Sequence, residues 1–247
     1  MFKVFKMISI LLIFSAVAQA ASTEPHLIAS SGSGHVQLVE LYSSESCSSC
    51  PPADEWISKL QQREGLWKNF VPVVFHVDYW NYLGWKDDFS SDLMTKRQVD
   101  LSKLWPTSSV YTPGFIVDGR EWKNWRSDGA DFPVSQNTKI ELSVYKLADG
   151  SFNVKASGLD ANKHYTVRVA QLGMGLGSRV TGGENSGRFL KHNFIVLDWS
   201  GQPLSKLGSE PNFKFKSRTD RVSRLAIAAW IEENGNPTPL QATGGYL

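Results

Sequence analysis

An α/β domain followed by an all-β one is predicted by three features of this sequence. An apolar strand pattern runs into a Cys-Ser-Ser-Cys pair at a helix start. A second apolar run and a strand led by Thr-Pro come after it, and beyond residue 137 short alternating segments replace helical periodicity.

The chain opens with a short basic head, Lys3 and Lys6, and Met7 to Ala18 is almost wholly apolar. Ala18-Gln19-Ala20 is a small-x-small cleavage site, so residues 1–20 read as a signal peptide. The apolar run of about 12 residues falls short of the roughly 20 that a spanning helix needs. No later run approaches that length, so the expectation is an exported protein, periplasmic or extracellular, with no membrane span in the mature chain. Residues 21–34 are rich in Ser and Gly and read as a flexible leader.

Val36–Tyr42 is the first expected strand, and a polar loop, Ser43–Ser46, carries it to Cys47-Ser-Ser-Cys50. Trp56, Ile57, Leu60 and Gln61 then recur at helical spacing. Proline is tolerated in a first helical turn, where N–H groups lack intrahelical partners, so Pro51 and Pro52 set the cysteine pair at the N-terminus of this helix. Val71–Asp78 is a near-continuous apolar run and reads as a buried strand. An aromatic loop follows, Tyr79–Phe89, then Ser90-Ser-Asp92 as a cap for a helix over Leu93–Trp105. Val110-Tyr-Thr-Pro113 introduces the strand Gly114–Gly119, which ends in an Asp-Gly turn. This order is that of a thioredoxin-like α/β domain, placed at 35–130. The break in pattern at Arg126–Asn137 reads as a boundary. Beyond it, in 137–247, Ile140–Val144, Phe152–Ala156, Tyr165–Leu172, Phe194–Leu197, Phe213–Phe215 and Leu225–Ile231 read as strands of a β-sandwich-like domain.

Composition narrows the function. Without Lys3 and Lys6 the chain carries 24 basic and 24 acidic residues, and like charges form no long run. Nucleic acid and polybasic membrane binding are thereby disfavoured, since both need a clustered basic footprint. With 41% apolar residues there is ample material for a core, so the only two cysteines are not needed as a staple. Chain-entropy arithmetic gives a four-residue loop only about 1.9 kcal/mol, against roughly 4.7 for a hundred-residue loop.

A Cys-x-x-Cys at a helix N-terminus has a chemical purpose. The helix dipole and unpaired N–H groups stabilise a thiolate on the first cysteine, and the second lies close enough to resolve a mixed disulfide. Cys47 is therefore the expected nucleophile and Cys50 the resolving thiol. A structural disulfide and metal ligation are the competing readings. His76 and Asp78 end the second strand on one face, where they could move protons or, for His76, ligate a metal beside the two sulfurs. Closing the strand end with hydrogen bonds is the plainer alternative. The loop Tyr79–Trp85 is read as a cap on the core rather than a peptide cradle. Gly182–Arg188 contains Gly-x-x-x-x-Gly without Lys-Ser/Thr, so a hairpin connection is expected there, not a phosphate loop.

The strings Val39–Asp54, Phe75–Trp80 with Leu83–Asp87, Val110–Pro113 with Val117–Gly119, and Gly183–Arg188 with His192-Asn193 resemble the DUF1223 family of secreted bacterial proteins with a thioredoxin-like fold. The resemblance implies a thioredoxin-like domain followed by a β-rich one, outside the cytoplasm. It also implies that Thr112-Pro113 is a cis-proline site lying against the cysteines, where the residue before the proline offers backbone hydrogen bonds to a bound peptide. The chain departs from the family at Ser43-Ser-Glu-Ser46 and at Gly114. Glu45 places a negative charge near Cys47, which should raise its pKa.

The leading expectation is an exported thiol–disulfide oxidoreductase without a bound cofactor. Cys47 and Cys50 would exchange with a disulfide-bearing protein or small thiol, Thr112 and Pro113 would position it, and a redox partner would complete the cycle. Two alternatives stand beside it: a copper-binding module using Cys47, Cys50 and His76, and a partner-binding protein working through the β-rich domain.

Overall fold

The computed structural model describes residues 24–127, 130–133, 137–216 and 222–247; the expected signal peptide lies outside them. Strand β1 (His26–Ser30) falls in the stretch expected to be a flexible leader. It is ordered by antiparallel pairing with β6 (Glu141–Lys146), so a partner far along the chain decides a structure that the local Ser/Gly composition hides.

β2 (Gln37–Ser43) leads through the Cys47 loop into helix α1 (Pro51–Lys59), and β3 (Phe70–His76) returns parallel to β2. Helix α2 (Asp92–Ser102) starts at Ser91, whose Oγ accepts from Met94 N at 3.3 Å. β4 (Gly114–Val117) runs antiparallel to β2 and turns into β5 (Arg120–Glu121) through Asp118 and Gly119. Both turn residues have positive φ, +48° and +75°, as a tight hairpin with right-twisted strands requires.

The second half is strand throughout: β7 (Phe152–Ser157), β8 (Tyr165–Met174), β9 (Leu176–Arg179), β10 (Phe189–His192), β11 (Ile195–Pro203), β12 (Asn212–Phe213), β13 (Arg224–Glu233) and β14 (Pro239–Tyr246). The fold is a β-rich one with mixed parallel and antiparallel pairing and only two α-helices among the described residues. An eight-stranded sheet has the order β14-β13-β8-β11-β3-β2-β4-β5, so strands from both sides of the expected boundary share it. The seam is β11 beside β3, parallel at Ile195 opposite Val74, with Val74 N donating to Phe194 O at 2.9 Å. A four-stranded sheet, β1-β6-β7-β12, packs Leu142, Val144, Phe152 and Val154 against Val167, Val169, Ile227 and Ile231 of the long sheet.

A buried ionic network crosses the seam. Arg97 of α2 gives Nε and a terminal nitrogen to the two oxygens of Glu40 on β2, at 2.7 and 3.0 Å, and the other to Glu232 on β13 at 2.6 Å. Glu232 also accepts from Arg168 Nε and Trp230 Nε1, both at 2.7 Å, and Glu40 from Tyr42 OH at 2.8 Å. Such a fork needs Arg rather than Lys, because the planar guanidinium matches two carboxylates at once.

Candidate functional site

Cys47 and Cys50 are joined as a disulfide, with Cα atoms 5.5 Å apart. The loop from β2 winds into α1 through Cys50 N→Cys47 O at 3.2 Å, and Cys50 O receives Ala53 N and Asp54 N. Pro51 and Pro52 open the helix, as the sequence implied. Ser48 and Ser49 are exposed while both cysteines are buried.

Beside this pair sits a buried cluster of ionisable groups. His76 Nδ1 lies 2.7 Å from Asp87 Oδ2, and His192 Nε2 lies 3.1 Å from Glu45 Oε1. The two imidazoles meet edge to face with centroids 5.1 Å apart, and Phe89 packs on both. Asp87 Oδ2 also accepts from Glu45 N at 2.9 Å, and Trp85 Nε1 donates to Glu45 Oε2 at 2.8 Å. Asp54, one turn beyond Cys50 on α1, is buried next to Ser43. Asp54 Oδ1, His76 Nε2 and His192 Nδ1 have no hydrogen-bond partner among the described residues.

The electrostatics follow from burial and neighbours. Burial is the largest influence on His76 and would lower its pKa, but Asp87's charge and hydrogen bond, with Asp54 and Glu45 behind them, push it up to about 9. Burial raises the Asp54 carboxyl, and the charges of His192 and His76 only partly offset it. Asp87 and Glu45 feel the same desolvation but are held below the ordinary carboxylate range by their histidines.

Of the sequence-predicted residues, Cys47 and Cys50 form the disulfide, and His76, paired with Ser43 at the exit of β2, lies in the buried cluster. Thr112-Pro113, whose peptide bond is cis, lies at the same sheet end as the Cys47 loop, because Gly114 pairs with Tyr42 near the exit of β2. Thr112 Oγ1 accepts from Trp80 Nε1 at 2.7 Å, and Pro113 lines an open groove with Tyr111, Phe115, Trp122 and Trp125. Asp78 serves another purpose: its backbone N donates to Thr95 Oγ1 and its carboxylate accepts from that hydroxyl, pinning the end of β3 to α2. The Glu45 carboxylate, expected to act on Cys47, is bonded to His192 and Trp85. The aromatic loop acts as a cap, with Trp80 and Trp85 fastening Thr112 and Glu45. Among the described residues no three His, Cys, Asp or Glu side chains gather so as to hold a metal ion, so the set Cys47, Cys50 and His76 has no such geometry.

Sequence reading missed Asp54, Asp87, His192, Glu184 and Asn185. His192 and the last two arrive on the β9–β10 hairpin, whose turn lies over the Cys47 loop. Asn185 Nδ2 donates to Glu45 O and Cys47 O at 2.9 and 2.8 Å, and Glu184 N to Ser46 O at 3.2 Å. The close approach requires glycine: a Cβ on Gly182 would stand 2.4 Å from Gly84 O. The Gly-x-x-x-x-Gly segment thus serves contact with another loop, a role its spacing alone does not announce.

The chain matches one family over residues 38–232. The chain belongs to DUF1223. That family is described as a protein of unknown function. No curated protein matches the chain. Two solved structures share the fold. Protein AGR_C_4864 of Agrobacterium tumefaciens, a crystal structure, is 23% identical, with a TM-score of 0.56 over 85% of this chain and 93% of its own. HBP35 of Porphyromonas gingivalis is 13% identical, with a TM-score of 0.56 over 87% of this chain and 76% of its own.

Proposed function

We propose that this DUF1223 protein is an exported thiol–disulfide oxidoreductase built on a thioredoxin-like β2-α1-β3-β4 unit, with Cys47 and Cys50 as its redox pair. The observation that carries the reading is the disulfide at the mouth of α1 beside buried ionisable side chains with unpartnered atoms. Burying unsatisfied polar groups costs stability, and such groups concentrate where protons must move. The leader-like residues 1–20 and the disulfide support export, and no helix among the described residues is long and apolar enough to cross a membrane.

In the reducing direction the Cys47 thiolate attacks a substrate disulfide, one substrate thiolate leaves, and Cys47 is held in a mixed disulfide. Cys50 loses its proton to the buried cluster and attacks Cys47 Sγ, releasing the second substrate thiolate. The substrate gains two electrons and the pair closes by losing them; oxidation is the reverse. Pro113, which lines the open groove, and Thr112 before it would position the substrate. His76 and Asp54 exchange protons with the pair, and Asp78 has no part in it.

Cys47→Ser is expected to abolish insulin reduction by the mature protein, and Cys50→Ser to accumulate mixed disulfides. Full activity in Cys47→Ser would overturn the reading. The reduction potential is a second check: working pairs fall between roughly −120 and −270 mV, and a value well below about −300 mV marks a structural bond.

A further inference from the structure

Both sulfurs are closed off, Cys47 at 1% exposed and Cys50 at 0%, and exchange requires an incoming sulfur in line with the S–S bond. The rim of the Cys47 loop is meanwhile occupied by the 182–188 turn. Asn185, buried, anchors that turn from beneath through Glu45 O and Cys47 O. Glu184, exposed, reaches over the top: its Oε2 accepts from Ser48 N at 2.8 Å and from Ser48 Oγ at 2.7 Å. No other hydrogen bond or ion pair holds the Glu184 side chain among the described residues.

Ser48 stands just ahead of α1, at the positive end of the helix dipole. Pro51 and Pro52 bring no N–H to the first turn, and the carboxylate is met instead by the paired N–H and O–H of Ser48. Those two bonds, the backbone one first, hold the Glu184 carboxyl below its ordinary range. The fixed part of the turn and its exchangeable part are thus different residues. Asn185 could leave only by stranding a buried amide, whereas Glu184 gives up two surface bonds that any other carboxylate restores.

We propose that the Ser48 N–H and hydroxyl form a carboxylate-binding subsite beside the disulfide, occupied at rest by Glu184 and taken over by the carboxylate of an acidic thiol or disulfide substrate. The inference rests on the redox reading of Cys47–Cys50 and adds a substrate class to it, since a carboxylate-bearing partner can take the place of Glu184 on Ser48 and a neutral one cannot.

The test compares 3-mercaptopropionate with 3-mercaptopropionamide, matched in size and differing in charge, as reductants of the oxidised mature protein. In each case the thiolate attacks Cys47 Sγ, the S–S bond breaks, and Cys50 leaves as a thiolate. A second thiol then resolves the mixed disulfide, giving the reduced pair and the small-molecule disulfide. Rates are normalised to thiolate concentration. Glu184→Gln and Glu184→Ala are expected to raise the rate with 3-mercaptopropionate about tenfold, the equivalent of one charge-assisted hydrogen bond. The amide should change far less, and added propionate should competitively slow the acid in both variants.

Equal increases for both thiols, no increase for either, or indifference to propionate would overturn the subsite. The last of these separates a binding site from mere loss of a repelling charge. Glu184 is exposed, so neither variant threatens the fold. Chemical reduction needs only the disulfide: an inactive protein in the insulin assay that still prefers the acid would sink the oxidoreductase reading and leave the subsite standing.

Discussion

Around Arg97, every side-chain nitrogen and oxygen of Glu40, Arg97 and Glu232 has a partner; beside Cys47–Cys50, Asp54, His76 and His192 each leave a buried atom without one. Both clusters are buried and both join the two halves of the chain. Arg97 links α2 to β2 and β13, while the hairpin brings His192 to Glu45. The Arg97 network therefore acts as a fastening, in which charge has been arranged until nothing remains to react. The histidine–carboxylate cluster keeps capacity to accept or give a proton. Its position next to the only two cysteines makes that capacity useful.

Removing the centre of the satisfied network should have the largest effect. Arg97→Ala leaves Glu40 buried without its cation and Glu232 with Arg168 alone, and breaking a buried pair in this way costs about 3–5 kcal/mol. Urea unfolding should register that loss with the Cys47–Cys50 chemistry of the surviving folded fraction unchanged. A loss below about 1 kcal/mol would mean that water reaches the network, and the contrast between the clusters would collapse.

The second cluster should reveal itself through pH. His76 is raised to about 9 in the folded protein against an ordinary 6.5. A raised imidazole adds stability that is fully present below about pH 6.5 and is lost as pH climbs through about 9. The shift corresponds to about 3 kcal/mol across that window. Asp87→Asn removes the main opposing charge, so its unfolding free energy should be lower at pH 6 and nearly level up to pH 9. If the wild type and Asp87→Asn keep parallel pH profiles, His76 is not held charged by Asp87.

The contrast also explains what was legible beforehand. Strand periodicity and cap residues announced β2, α1, β3, α2 and β4, because each is set by local pattern and by prolines that act on their own neighbours. Cys47, Cys50 and His76 stood out for the same reason, as reactive residue types beside local punctuation. Hidden were those features that depend on a distant partner. β1 takes its order from β6, and β14, with its Gly244-Gly245, is built on β13. Nothing in the local pattern marks Arg97 as buried between β2 and β13. Asp54 closes the Val39–Asp54 string and lies one turn from Cys50, so helical spacing could have found it. His192 and Glu184 could not be found that way, since more than 130 residues separate them from the loop they touch.

Asp54 gives the smallest effect and the sharpest sign. Burial raises its carboxyl above the ordinary range. A raised acid contributes stability only below its unfolded pKa of about 3.9, and that contribution fades as pH rises through the folded value. Ionising Asp54 therefore weighs against the fold. Asp54→Asn keeps the shape and removes the ionisation, so it should favour the folded protein more at pH 7 than at pH 3. The same variant should slow closure of the mixed disulfide, measured by its accumulation, because Cys50 loses a buried carboxylate one helical turn away that could take its proton. Gain in stability together with loss in exchange is what a reactive cluster predicts. A destabilised variant with unimpaired exchange would place Asp54 with Arg97, as one more part of the scaffold.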